Sequence, residues 1–206
     1  MKDETLAELE DKQFISKAKQ GDMAAFEELI LQHEKMVYNV ALRMMNHSED
    51  AKDISQEVFI KAYRNISNFD ERSTFSTWIY RITTNTCIDE MRKRKGKQTF
   101  SLDNEFEGEE SSWKREVADD ADTPEKSLLK KEEKNEILMA MEGVSEEYKM
   151  VFILRDIQGL SYEEISDILD LTLGTVKSRI SRARKNIKEE IYKIREQNGK
   201  YLRHRI

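Results

Sequence analysis

The sequence predicts an all-α protein made of two small helical domains joined by an acidic linker. Three observations carry this. A single proline, Pro124, and 7 glycines leave an all-β chain without the turn residues it needs. Apolar residues recur at helical spacing in both halves of the chain. Between the halves, over residues 96–127, that periodicity fails and acidic residues take over. Hydrophobic residues make up 38% of the 206 and charged residues 37%. Each core must therefore be small, and each helix must carry charge on its outer face.

The first domain, residues 10–95, reads as three helices. Phe26, Leu29, Ile30, Met36, Val37, Val40, Ala41 and Met44 line one face of the first, with Asp22 placed to cap its free amides. Ala51, Ile54, Val58, Ala62 and Ile66 line the second, with Ser48 as its expected cap. The third opens between Ser73 and Ser76 and carries Ile79, Ile82 and Met91 into the basic cluster RKRKGK at 92–97. Three such faces can close on one core.

Residues 101–127 contain ten Asp or Glu against three Lys or Arg, the composition of a solvated linker. Phe100, Phe106 and Trp113 are unusual in a pure spacer. They suggest that the segment settles onto a partner, and its charge resembles that of a nucleic acid. The formal net charge of −6 is concentrated here, and the rest of the chain is close to neutral. Leu171 to Ile206 holds eleven Lys or Arg against three Glu. Two basic clusters flank an acidic one.

The second domain, residues 128–195, opens with Leu128, Leu129, Ile137, Leu138 and Met141 on a helix ending at Gly143. Ser145 is the expected cap of the next helix, which carries Met150, Val151, Ile153 and Leu154 and stops near Gly159. Ser161 and Glu164 then form an S-x-x-E capping box before Ile165, Ile168 and Leu169. A short turn at Asp170-Leu171 leads to a last helix. Leu173, Val176, Ile180, Ala183 and Ile187 line one of its faces, and Thr175, Lys177, Ser178, Ser181, Arg182 and Lys185 lie mainly on the other. Gly174 and Ser178 are small enough to permit close approach. A short helix, a tight turn and a basic helix make a helix-turn-helix whose second helix suits the major groove of duplex DNA.

The segment LSYEEISDILDLTLGTVKSRISRARKNIK resembles region four of bacterial sigma factors, and GTVKSRISRARK is closest to the extracytoplasmic-function class. LuxR-type regulators share a looser form of this pattern. The segment by itself therefore leaves open a helix-turn-helix regulator that is no polymerase subunit. The N-terminal half carries a second resemblance. FEELILQHEKMVYNVALRMMNHSEDAKDISQEVFIKAYRNISNFD with FSTWIYRITTNTCIDEMRKRK is similar to sigma region two. Two matching domains in this order are the layout of the extracytoplasmic-function class.

The resemblance implies functions for particular residues. Asp53, Gln56 and Glu57 would bind the clamp of the largest subunit of core RNA polymerase. Phe69, Ser73, Tyr80, Arg81 and Asn85, on the loop FDERSTF and the helix after it, would meet the downstream (−10) promoter element as it melts. Aromatic and basic groups suit unpaired bases, since stacking supplies about 1–3 kcal/mol per base. Phe75, Trp78 and Ile82 could equally be core. Thr175, Lys177, Ser178, Ser181, Arg182 and Lys185 would read the upstream (−35) element. An anti-sigma factor is the further implied partner, with release on a stress signal.

No enzyme signature is present. His33, His47, His204 and Cys87 lack ligand-like spacing, so no metal or other cofactor is expected. There is no glycine-rich phosphate loop and no catalytic pair, hence no small-molecule substrate. Asp89 and Glu90 stand beside arginines and read as surface ion pairs. The lone Cys87 fits a packing residue in a reducing compartment. The charged N-terminus lacks a signal-peptide core, and no run is long enough to span a bilayer, so no direct membrane insertion is expected. A cytoplasmic protein is expected.

Overall fold

The computed structural model describes residues 6–100 and 135–203, with side chains over 11–94 and 135–197. Among the described residues every regular element is helical. The chain divides into two compact units. The first holds the N-terminal helices together with residues 163–171, and the second holds the rest of the C-terminal part. The expected roles of Phe106 and Trp113, the acidic segment 101–127, and Leu128 and Leu129 lie outside the described residues.

In the first unit α1 spans Leu6–Lys19, α2 Met23–Met45, α3 Ser48–Asn65 and α4 Phe75–Phe100. Residues Ile66–Asn68 make a single 3₁₀ turn after α3. Helix α1 begins ahead of the expected domain start, and its Ile15 and Ala18 are buried. Gly21, at φ 90, turns the chain from α1 into α2 in a conformation that favours glycine. Asp22 then caps α2 by accepting from the Ala25 amide at 3.2 Å.

The core of this unit is the periodic set read from the sequence. Leu29, Val37, Val40, Ala41, Ala51, Val58 and Ala62 are wholly buried. The alanines let the helix axes approach closely, and each buried Leu or Val adds about 1.5–3 kcal/mol. Cys87 is buried with them, and burial pushes its thiol up to about 12. The Thr83 hydroxyl returns a hydrogen bond to the Ile79 carbonyl at 2.8 Å, so a polar side chain is buried on α4 without loss of its partner. Lys61 on α3 donates to Thr86 of α4 at 3.1 Å.

Three local expectations need correction. His47, not Ser48, caps α3, its Nδ1 accepting from the Asp50 amide at 3.4 Å, and Ser48 is the first helical residue. Helix α4 does not stop at Gly96 but continues to Phe100, because one glycine costs a helix only about 1 kcal/mol. Leu173, expected on a buried face, is 40% exposed because it lies at the start of its helix, ahead of the packed turns.

In the second unit α5 covers 135–142 and α6 Glu146–Phe152, the latter running into a π-helical turn at Ile153–Ile157. The turn is closed by the Gln158 amide donating to the Ile153 carbonyl at 2.9 Å. Ser145 stands at the N-cap position of α6, but its side chain makes no capping hydrogen bond there. Gly159, at φ 77, ends the turn. Helix α7, Tyr162–Leu169, falls almost wholly in the first unit, and α8, Leu173–Arg203, belongs to the second. Met141, Met150, Val151, Ile153, Leu154, Val176, Ile180 and Ala183 form the buried set of the second unit.

Candidate nucleic-acid interface

Helix α7 is short and strongly amphipathic, with Ile165 and Ile168 buried and Glu163, Glu164 and Asp167 exposed. Its end is closed by the Leu171 amide donating to the Ser166 carbonyl at 3.1 Å, and the Ser166 hydroxyl bonds the Leu171 carbonyl. Asp170 adopts a left-handed conformation at φ 52, which Asp tolerates better than most residues and which gives the tight turn. Thr172 then caps α8, its hydroxyl accepting from the Thr175 amide at 3.2 Å.

On α8, Val176, Ile180, Ala183 and Ile187 are buried at intervals of three and four residues. Lys177, Ser178, Ser181, Arg182 and Lys185 are exposed, and Thr175 is half-buried with its hydroxyl against that of Thr172 at 2.9 Å. The Ser178 hydroxyl donates to the Thr175 carbonyl at 2.9 Å. One side of α8 is therefore packed and the other carries small polar and basic groups. A Cβ placed on Gly174 would meet nothing nearer than the Thr172 hydroxyl at 4.0 Å.

Several residues here carry no periodic signal. Tyr162 lies under two cations, with the Arg155 guanidinium 4.8 Å and Lys177 Nζ 5.9 Å from its ring centre. Arg184 pairs with Asp156 at 2.5 Å, which holds the guanidinium more firmly protonated, and Arg179 pairs with Glu147 at 2.9 Å. Only charge reversal between neighbouring helices could have hinted at those pairs.

The loop 69–75 and the first turns of α4 form the second candidate surface. Arg81 and Asn85 are exposed and Ser73 is half-buried. Phe69 and Tyr80 do not lie on that surface: they are 4% and 5% exposed. Phe69 is enclosed because it packs against Phe75 and Trp78 and because Lys19 Nζ stands 5.5 Å over its ring. Burial pushes the Tyr80 hydroxyl up to about 12. Phe75 is core, and Trp78 is half-buried at the edge of the same group.

The His33 ring lies 5.1 Å from Phe75, and its Nε2 is 3.5 Å from an Asp11 carboxylate oxygen. Helices α1 and α2 thereby back the aromatic group. The loop itself is tied down by Asp70, which accepts from the Arg72 amide at 3.2 Å and pairs with its guanidinium, and by Glu71, which pairs with Lys19.

A third surface lies on α3. Asp53 and Gln56 are exposed. Glu57 accepts from Lys61 at 2.7 Å, and that hydrogen bond holds its carboxyl below the usual range. Ile60 and Tyr63 continue the same helix at 51% and 42% exposed. Two large apolar groups on a polar face were the signal that the polar pattern concealed. At the far end of α4, Arg94 bonds Asp50 at 2.6 Å and Glu90 at 3.2 Å, and Asp89 lies 4.0 Å from Arg92. No cluster of three or more potential metal ligands occurs among the described residues.

These surfaces coincide with two family matches: residues 29–97 match Sigma-70 region 2, and residues 134–187 match Sigma-70 region 4. The chain belongs to the sigma-70 family of RNA polymerase sigma factors, in its extracytoplasmic-function (ECF) class. The ECF RNA polymerase sigma factor SigW of Bacillus subtilis is 36% identical over 181 residues, covering 87% of this chain and 96% of that one. The ECF RNA polymerase sigma-E factor of Escherichia coli is 34% identical, covering 89% and 95%.

The fold is shared with the sigma factor RpoE of Bartonella quintana, solved in complex with the anti-sigma factor NepR. That likeness has a TM-score of 0.63 at 24% identity, over 81% of this chain and 96% of that one. CnrH, solved with the cytosolic domain of CnrY, gives 0.61 at 20% identity over 87% and 96%. Because the relatives match both halves, a LuxR-type regulator built on the C-terminal segment alone has no support.

Proposed function

We propose that the two units of this sigma factor divide its work: α8 reads the upstream promoter element as duplex, and α4 with its preceding loop engages the downstream element as it opens. The observation that carries this is the two-sided character of α8, packed through Val176, Ile180, Ala183 and Ile187 and open along Lys177, Ser178, Ser181, Arg182 and Lys185. Arg182 and Lys177 reach toward base edges, Lys185 toward phosphate, and Thr175, Ser178 and Ser181 supply short polar contacts.

At the downstream element Arg81, Asn85 and Ser73 make the first contacts with the strand. Phe69, Trp78 and Tyr80 belong to the wall behind them. A flipped base stacking there recovers about 1–3 kcal/mol, close to the few kcal/mol that extrusion costs. Asp53, Gln56 and Glu57, extended by Ile60 and Tyr63, bind the clamp of the largest polymerase subunit. A mixed polar and aromatic patch is suited to an interface. The protein itself catalyses nothing and acts in the cytoplasm, where the polymerase it directs performs the chemistry. An anti-sigma factor holds it in check, as NepR is bound to RpoE.

Run-off transcription with purified core polymerase tests this reading. The expected result is a promoter-specific transcript that requires the chain and is lost when Asp53 and Gln56 are replaced by alanine. Binding of the chain alone to a palindromic duplex, with no transcript, would overturn it.

A further inference from the structure

Arg184 stands on α8 one residue before Lys185, and its charge and position suit a phosphate contact. Its geometry assigns it elsewhere. Nε lies 3.2 and 3.1 Å from the two carboxylate oxygens of Asp156, and Nη2 lies 2.5 Å from the first of them. An arginine fork held on both oxygens has a fixed orientation, which a single-point lysine pair lacks.

The partner is also held. Asp156 sits in the π-helical turn at 153–157, closed by the bond from Gln158 to Ile153. Its neighbour Arg155 donates to the Leu160 carbonyl at 2.6 Å and covers the Tyr162 ring. A turn with five residues in place of the usual repeat re-aims the side chains it carries, and such turns recur at functional positions. Arg179 makes a second tie from α8 to Glu147 on α6.

We propose that Asp156 and Arg184 are positioning residues for promoter reading: their fork fixes the rotation of α8 about its own axis, and neither touches DNA. The inference rests on the reading of α8 as the upstream-element helix. A helix with side chains is about 10–12 Å across, so a rotation of about 10° moves a side-chain tip by roughly 1 Å. Bidentate recognition of a base tolerates only a few tenths of an ångström around its ordinary length. Small rotations therefore erase sequence discrimination while leaving general attraction to phosphate in place.

Holoenzyme reconstituted from core polymerase and the full chain provides the test. A duplex library randomised over the upstream element first yields the preferred sequence, and binding is then compared between that sequence and a scrambled one across salt concentrations. Arg184→Ala and Asp156→Ala are each expected to lower the preferred-to-scrambled ratio roughly fivefold. The salt slope stays at its wild-type value. The exchanged pair Asp156→Arg with Arg184→Asp is expected to recover part of the ratio, which also controls for misfolding of the single variants.

A different pattern would overturn the proposal. If Arg184→Ala reduced the salt slope by about one charge with the ratio intact, Arg184 would be a phosphate contact. Full discrimination in Asp156→Ala would remove the positioning role from that residue. A wild-type holoenzyme with no preference at the upstream element would defeat the underlying reading of α8, a result distinct from either.

Discussion

Phe69 and Trp78 lie ring against ring, with centroids 5.1 Å apart and planes inclined at 40°. Phe75 completes the group at 6.0 Å from Phe69 and 5.5 Å from Trp78. The aromatic residues of the 69–75 loop thus serve as the packing that holds the loop against α4. On the proposed reading, contact with a base requires that this group shift, and Trp78, at its half-buried edge, is the natural reporter of the shift.

Replacing Phe69 by alanine removes a buried ring from that group and should destabilise the first unit by about 3–5 kcal/mol. Urea unfolding of the full chain followed through tryptophan fluorescence measures this. A loss within about 0.5 kcal/mol would mean that the ring behaves as a surface group.

The Asp50–Arg94 pair ties the start of α3 to α4, and the hydrogen bond from Arg94 holds the Asp50 carboxyl below its ordinary value. A carboxyl depressed in the folded state stabilises above its unfolded pKa and loses that contribution as the pH falls through the folded one. Stability of this junction should therefore be flat near neutrality and decline below about pH 4. In Arg94→Ala the acid decline should be shallower and begin from a lower plateau. Amide exchange on α4 as a function of pH checks both points, and an unchanged profile would remove the tie.

Cys87 is fully buried, and burial pushes its thiol up to about 12. Native protein should resist alkylation by iodoacetamide at mildly alkaline pH and react at once in denaturant. Rapid native labelling would show that α4 opens far more readily than its packing implies.

Gly174 has open space where a Cβ would go, so no described neighbour in the chain requires glycine there, and on the proposed reading the approach of DNA would. Gly174→Ala should raise helix stability by about 0.5–1 kcal/mol while weakening upstream-element binding severalfold. Thermal melting and holoenzyme binding, measured on the same preparation, separate the two. Raised stability with unchanged binding would show that DNA does not come near this turn.

Much of the fold was legible because helical burial writes itself at intervals of three and four. Most of the buried sets of α2, α3 and α8 and the Asp22 cap could be read directly, as could the turn at Asp170, though Leu173 is exposed and Ile30 and Met36 are only half-buried. Pairings between distant residues left no such mark. The fork from Arg184 to Asp156, the covering of Phe69 by Lys19 and the tie from His33 to Asp11 depend on how helices meet. For the same reason Phe69 and Tyr80 read as contact residues although both are buried. An aromatic next to a basic cluster looks alike whether it faces a base or a neighbouring ring. The π-helical turn at 153–157 was also hidden, since one extra residue in a turn leaves the local apolar pattern almost unchanged.

If two surfaces of one chain read two promoter elements separately, each can be disabled by itself. Selection of promoters randomised at both elements, with holoenzymes that carry Arg182→Ala or Asn85→Ala, decides this. Arg182→Ala is expected to relax preference at the upstream element alone, by about 1–3 kcal/mol at one position. Asn85→Ala should relax preference at the downstream element alone. Preferences unchanged in both holoenzymes, or lost together at both elements, would contradict it.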